Sequence, residues 1–349
     1  IYGSLLTTQN AFTVTIDPDF KDNINVSLTP VKTQDEFIAA LQNDGSAYVP
    51  EGVEIDLSTM PATKFNNPVY IKLDGTLNNL NTTQTFTGDV TISGTGTINT
   101  ALDSLNTPLM GFRTEGSAGR DGVRTCNVSI SGITINAPEN TNTGTFSNTG
   151  IINTWYCASF KMDNVTIISK TKCIDVKQDR CAPIVLTNCN LMSTGYEVMT
   201  INNTAQYGGD SSSIILKDCN LKGIGFVGSI SGSNWGKRVK FILDGTACIA
   251  TGGNPSAVPG SVVFSTNNVD LQATDSYLYH DTRYIFMFVQ STDLFSFKNC
   301  MTNKDMFQMW TNAATDDPLT YSNKTVTKEV FGNEYKFTLE ANGNFIKGD

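Results

Sequence analysis

The most regular feature of the chain is an alternation of apolar and polar residues that breaks at one short polar residue and then resumes. Four clear copies, FKMDNVTI, IVLTNCNL, IILKDCNL and FSFKNCMT, begin at residues 160, 184, 214 and 295. Three weaker copies, VSISGITI, KFILDGTA and LQATDSYL, begin at residues 128, 240 and 271. Alternation with a period of two predicts β-strands, and the break predicts a tight corner between two of them.

The corners recur at intervals that vary too much for a helical repeat of fixed length. They are 24 to 32 residues apart and fall at Gly132, Asn164, Asn188, Asp218, Asp244, Asp275 and Asn299. A unit of two short strands cannot bury its own apolar side, so successive copies must stack and share one core. The pattern therefore predicts an all-β fold, a single-stranded parallel β-helix of about 9–11 rungs.

Composition and cysteine positions agree with this fold. With 29 glycines and 16% charged residues, the chain favours turns and short strands over helices. A solenoid grows by adding rungs, so 349 residues can form one long domain. Cys189, Cys219 and Cys300 each follow a corner. Equivalent positions in stacked rungs are about 4.8 Å apart, which favours buried free thiols in a ladder over disulfides.

The charge distribution limits the classes of partner. The formal net charge is −9 and no run of Lys or Arg occurs, so we expect no nucleic-acid partner. No apolar stretch approaches the roughly 18–20 residues of a membrane span, so we expect no membrane insertion. The chain begins at Ile1 without a signal-peptide pattern, and we therefore expect a mature product or an excised fragment.

The two ends of the chain carry their own signals. Residues 1–30 are predicted to form an entry segment or linker, and residues 31–310 the β-helix domain. In TQDEFIAALQN, Thr33 and Glu36 have capping-box spacing, which predicts a short amphipathic helix across the first rung. Residues 311–349 contain alternating runs on either side of Gly332, which predicts a β-hairpin that acts as a cap or an oligomer contact.

The strand, corner and strand rungs, and the phrase AYVPEGVEIDL at residues 47–57 after a helix, resemble the pectin-lyase-like right-handed parallel β-helix superfamily over residues 31–310. Polygalacturonases of that superfamily share NTD, DD, GHG and RIK motifs, which do not occur in order here. Pectate lyases need an Arg base beside calcium ligands, and Arg180 and Arg283 lack an obvious carboxylate cluster. The chain most resembles bacteriophage tailspikes and appendages. That resemblance implies a homotrimer on a virion tail or in the extracellular space, which recognises a host cell-surface polysaccharide and needs no cofactor.

Counting back from the corners gives candidate site residues. Trp155, Asp179 and Trp235 each lie nine residues before a corner, and Asp210 lies eight before one. We therefore predict that these four side chains share one flank on four successive rungs, with the tryptophans about 14 Å apart. Tryptophan offers a flat platform for a sugar, and Asp179 and Asp210 are the candidate acid and base or nucleophile of a glycoside hydrolase. Tyr156, Arg180 and Tyr207 are candidate substrate-binding neighbours.

Alternative interpretations remain open at this point. Asp210, in YGGDSSS, has the sequence context of a turn cap, and Asp179 is adjacent to Arg180, as in a surface ion pair. His280, the single histidine, belongs either to a polar site with Asp281 and Arg283 or to the packing of a turn. The rival functions are a structural or adhesive β-helix without catalysis and a secreted bacterial polysaccharide lyase or hydrolase. The net charge favours neutral or cationic glycans.

Overall fold

The fold is a parallel β-helix, as the alternation predicts. The computed structural model describes residues 28–100, 109–113, 126–137, 150–155, 157–177, 183–202, 213–231, 239–252, 262–281, 284–288, 294–304, 307–309 and 319–345. Within these residues the chain makes ten rungs, and each strand pairs in parallel with its equivalent on the next rung. Three strands per rung give three faces. The stack is closed at one end by a helix and at the other by an antiparallel strand.

Face 1 and face 2 meet at the predicted corner. The strands of face 1 are Ser46–Val49, Val69–Leu73, Val90–Gly94, Asn127–Ser131, Ser159–Asp163, Ile184–Thr187, Ser213–Lys217, Val239–Asp244, Val269–Thr274 and Leu294–Thr302. The strands of face 2 are Glu54–Asp56, Thr76–Asn78, Thr97–Asn99, Thr134–Ala137, Thr166–Ser169, Asn190–Ser193, Asn220–Ile224, Ala247–Thr251 and Tyr277–His280. On the tenth rung, the end of Leu294–Thr302 continues along face 2, where Met301 is the partner of Tyr277.

Face 3 is a separate ten-stranded sheet. Its strands are Thr63–Phe65, Gln84–Phe86, Met110–Arg113, Ile152–Trp155, Ile174–Lys177, Met199–Asn202, Gly228–Ser231, Val262–Asn267, Tyr284–Phe288 and Phe307–Met309. Its inward side chains complete the core that all three faces share. In the first rungs this includes a stack of Phe65, Phe86 and Phe112, with ring centroids 5.2 and 5.3 Å apart.

The predicted corners are formed by residues with a left-handed backbone, with one correction to their positions. Six predicted corner residues have positive φ angles, namely Gly132, Asn164, Asn188, Asp218, Asp275 and Asn299. The prediction is wrong at Asp244, which ends its strand, because the next residue, Gly245, takes the left-handed conformation with φ 59°. Glycine adopts that conformation without steric cost, so it displaces the adjacent aspartate from the corner.

The position after each corner forms a buried ladder through the core. It is occupied by Ile133, Val165, Cys189, Cys219, Thr246, Ser276 and Cys300, none more than 1% exposed. The seven cysteines in the described residues are all free and buried, as predicted for the three in this ladder. Burial raises the pKa of the Cys300 thiol to about 11, so it stays protonated near neutral pH.

Each end of the stack is covered by chain from outside the rungs. The helix Gln34–Asn43 begins after Thr33, whose hydroxyl accepts a hydrogen bond from the backbone N–H of Glu36 at 3.2 Å. At the other end, strand Leu339–Phe345 pairs antiparallel with the last face 1 strand and with Thr320–Ser322.

The predicted hairpin is also formed, and it lies against the outer side of face 2. Strands Val326–Val330 and Asn333–Phe337 pair antiparallel. The Phe337 ring packs on Tyr277 with centroids 5.3 Å apart, and the Lys328 ammonium lies 4.4 Å from the centroid of Tyr277. Among the described residues, no helix is long and apolar enough to cross a membrane.

Candidate functional site

A row of polar side chains runs along the outward side of face 3. It consists of Asn153, Asp175, Thr200, Ser229 and Ser265, which are register partners on five successive rungs. Each alternates with core residues, so it points away from the core. Three of these outward side chains are nevertheless shielded from solvent, with Asp175 1% exposed, Ser265 7% and Asn153 8%, while Thr200 and Ser229 are half-buried. We call these five residues the face 3 row.

A buried ion pair adjoins the middle of this row. Lys172 and Glu197 occupy equivalent positions on adjacent rungs, just before their face 3 strands, and the Lys172 Nζ lies 2.8 Å from the Glu197 Oε1. The Thr200 hydroxyl donates a hydrogen bond to the same carboxylate oxygen at 3.2 Å. Thr200 is the register partner of Asp175, so two carboxylates, Asp175 and Glu197, flank one threonine of the row.

Trp155 lies at the end of its face 3 strand, two residues beyond Asn153. It is half-buried, and its indole Nε1 is withdrawn from solvent without a hydrogen-bond acceptor in the described part of the chain. Its register partner on the preceding rung is Arg113. A buried indole N–H normally has a hydrogen-bond partner, so an indole N–H without one in the described part of the chain is unusual.

Most of the sequence-predicted site residues lie outside the described residues. These are Tyr156, Asp179, Arg180, Tyr207, Asp210 and Trp235. The strands from which they follow are described: Trp155, Lys177, Asn202 and Ser231 end four successive face 3 strands and are register partners. The four segments therefore begin at one edge of face 3 on four successive rungs. The positions of their side chains, and the pairing of Asp179 with Asp210, stay predictions.

His280 belongs to the interior. Its side chain is fully buried, and its Nε2 lies 2.9 Å from the backbone oxygen of Gly225. Burial is the main cause that lowers its pKa from the ordinary value of 6.5. A neutral imidazole that donates to a backbone carbonyl inside the core serves packing, in agreement with the packing alternative of the sequence analysis.

The counting argument missed Asp175, Lys172 and Glu197. Asp175 had a signal in the sequence, because it is a charged residue between Ile174 and Val176, at the outward position of an otherwise apolar strand. Lys172 and Glu197 gave no such signal. They are 25 residues apart, and only the register of two rungs brings them together.

The arrangement suits hydrogen bonding to a hydroxyl-rich chain better than it suits acid–base chemistry. The face 3 row supplies an amide, a carboxylate and three hydroxyls at steps of about 4.8 Å. Glycosidic cleavage needs two carboxyl groups with different protonation states. The Glu197 carboxylate already contacts Lys172 and Thr200, which hold it in place within the fold.

No protein-family model matches the chain, and no curated protein matches it. Among solved structures, ORF18 of Geobacillus virus E2 is similar, with 13% sequence identity and a TM-score of 0.30. The similarity covers 77% of this chain and 61% of the viral protein, so the chain spans about three fifths of that protein's length.

Proposed function

We propose that this chain binds a polysaccharide along the outward side of face 3, as a host-recognition protein of a virion tail or another extracellular assembly would. The observation that carries the proposal is the face 3 row, a line of polar side chains that faces away from the core on five consecutive rungs. A rigid solenoid offers such an extended surface without any further domain.

The chemistry of the row fits a neutral, hydroxyl-rich polymer. Amide and hydroxyl groups both donate and accept hydrogen bonds, and the Asp175 carboxylate accepts from vicinal hydroxyls. Trp155 adds an aromatic surface and an indole N–H without an acceptor in the described chain. A polymer repeats its functional groups along its length, as the row repeats its side chains along the solenoid axis.

Cleavage of the bound polysaccharide is the second candidate function. It rests on Asp179 and Asp210, whose segments begin at the edge of face 3 on neighbouring rungs. Asp175 lies on the same face and is the alternative carboxylate for this role. The placement on a virion tail rests on the resemblance of the sequence to tailspikes and appendages.

The test is an array of bacterial surface polysaccharides, with binding measured on the intact chain and oligosaccharide release followed by mass spectrometry. We expect binding that falls at least tenfold in Asp175→Asn and in Trp155→Phe, which removes only the indole N–H and part of the ring. Asp163→Asn, the same change on face 1, is the matched control and keeps full binding. Far-UV circular dichroism checks that each variant is folded.

The outcomes separate the candidate functions. Release that disappears in Asp179→Asn or Asp210→Asn establishes a hydrolase at the edge of face 3. Binding without release leaves a recognition module. A chain that binds no polysaccharide, or whose binding is insensitive to Asp175 and Trp155, overturns the proposal and favours a structural rod.

A further inference from the structure

Face 1 carries a regular row of outward side chains in its last six rungs. The row consists of Asp163, Thr187, Lys217, Asp244, Thr274 and Lys298, each the register partner of the next. Asp163, Lys217 and Lys298 are exposed, and the other three residues are half-buried. We call it the charge row. Its order is acid, neutral, base, acid, neutral, base. When the row is set against its own reverse, each charged residue meets an opposite charge and each threonine meets a threonine.

A second outward row runs beside the charge row. It contains Lys161, Val185, Ile215, Ile242, Gln272 and Ser296 on the same six rungs. The three aliphatic residues in its middle, Val185, Ile215 and Ile242, are half-buried and point away from the core. Outward β-branched side chains on three adjacent rungs form an apolar stripe in the centre of the face.

The four charges of the charge row form no ion pair within the described part of the chain. Lys217 and Asp244 are register partners, yet no nitrogen-to-oxygen contact within 4.0 Å joins them. The Asp163 carboxylate accepts only a long hydrogen bond, 3.5 Å, from the Asn188 side chain. These charges are therefore available to groups from another molecule.

We propose that face 1 binds a second copy of this chain, with the two solenoid axes antiparallel and the two-fold axis along the strand direction. This symmetry places rung five against rung ten, rung six against nine and rung seven against eight. Asp163 then meets Lys298 of the second copy, and Lys217 meets Asp244 of the second copy. No like charges oppose one another in the charge row, and Ile215 packs on Ile242 of the second copy.

The two-fold alternative with parallel solenoid axes fits less well. It leaves every rung opposite its own equivalent, so that Lys161 opposes Lys161 of the second copy, and like charges at such a contact cost free energy. The antiparallel arrangement places Lys161 opposite the neutral Ser296. Six rungs of five residues offer a footprint of roughly 500 Å² per copy, near the lower limit for a specific interface, so we expect a weak dimer.

The test is sedimentation equilibrium of the intact chain, at concentrations of roughly 10 to 300 μM, together with native mass spectrometry. We expect a monomer–dimer equilibrium. Asp163→Lys and Lys298→Asp each weaken dimerisation at least tenfold, and the double variant restores it. Within one chain these residues are five rungs, about 24 Å, apart, which exceeds the Debye length at physiological salt. Restoration in the double variant therefore reports a contact between copies.

Controls keep the outcome decisive. Glu51→Lys makes the same charge change on the exposed turn after the first strand, outside rungs five to ten, and leaves the dimer intact. Ile215→Asp abolishes it, and thermal unfolding shows that each variant is folded. A wild-type chain that stays monomeric, a trimer such as the sequence resemblance implies, or a dimer that the double variant fails to restore overturns the proposal.

Discussion

The Nε2 atom of His280 lies 2.9 Å from the backbone oxygen of Gly225, although the two residues are 55 positions apart in the chain. A carbonyl oxygen only accepts, so the imidazole donates from Nε2. The imidazole is fully buried, and the charged groups near it within the described residues include Asp281, whose carboxylate is 3.6 Å from Nδ1, and Lys304. This contact ties the end of a face 2 strand to a turn on an earlier rung.

Acid should therefore destabilise the fold through His280. Burial lowers its pKa in the folded state below 6.5, so the unfolded chain binds the proton more readily. The stabilisation is complete above about pH 6.5 and is lost as the pH falls through the folded-state pKa. The total loss is about 1.4 kcal/mol for each unit by which the folded-state pKa lies below the unfolded-state pKa. Urea unfolding at a series of pH values measures it. In His280→Gln this part of the pH dependence should vanish, and an unchanged profile would contradict the assignment.

The buried ion pair between Lys172 and Glu197 should matter far more than an exposed one. Lys172→Met leaves a buried carboxylate without its cation, and we expect a loss of about 3–5 kcal/mol in the free energy of unfolding. The matched control is Lys324→Met. The Lys324 side chain is 59% exposed and its ammonium lies 3.5 Å from the Glu340 carboxylate, so we expect a loss below about 1 kcal/mol in the free energy of unfolding. Equal losses in the two variants would show that burial does not set the strength of these pairs.

Replacing both members of the buried pair separates the cost of an orphaned charge from the value of the pair. Lys172→Met combined with Glu197→Leu removes both charges and leaves apolar side chains in the same space. We expect this double variant to recover most of the stability that Lys172→Met loses. Chemical denaturation of the four proteins closes the double-mutant cycle. Losses that simply add would indicate that the two side chains act independently.

Corner residues should tolerate substitution according to their backbone angle and the space around them. At Asn164 φ is 52°, and Asn164→Ala should cost about 1–2 kcal/mol because alanine resists the left-handed region. Asn164→Gly should be nearly neutral. Gly132→Ala should cost clearly more, since its added Cβ would lie 2.2 Å from the backbone oxygen of Gly94. Thermal unfolding ranks the three variants, and a Gly132→Ala protein as stable as Asn164→Ala would refute the steric argument.

The sequence predicted faces 1 and 2 well because their signal is local. The alternation and the corner lie within eight residues, so each rung can be recognised from its own sequence. The single wrong corner is Asp244, and the adjacent Gly245 takes the left-handed conformation in its place. Face 3 has no shared motif: its strands include INTW, IDVK and GSIS. The segments between the faces vary in length, so the sequence alone does not show which face 3 residues are aligned. The face 3 row is recognised only from the pairing register of the strands. Of the four residues that counting back from the corners selected, Trp155 lies among the described residues, and the flank that the four were expected to share stays a prediction.

The buried ladder of residues after the corners changes chemistry along the core. At one position it passes from Val165 through Cys189 and Cys219 to Thr246. The Cys219 thiol donates to the backbone oxygen of Lys217 at 3.2 Å, a residue that precedes the corner. Thiols and hydroxyls at this position thus donate a hydrogen bond to the backbone carbonyl group of a residue just before the corner.

Thr246 offers a direct test of that role. Its hydroxyl lies 2.9 Å from the oxygen of Leu216 and 3.1 Å from that of Asp244, and it accepts a hydrogen bond from the N–H of Cys219 at 3.3 Å. Thr246→Val keeps the shape, and valine already occupies the equivalent position at residue 165, so packing is preserved. The variant leaves a buried N–H without its acceptor and should lose about 1–3 kcal/mol in urea unfolding. Thr246→Cys, which restores a donor and a weak acceptor, should lose clearly less. If the valine variant is as stable as wild type, the ladder is held by packing alone and its hydroxyls and thiols contribute no net hydrogen-bond stability.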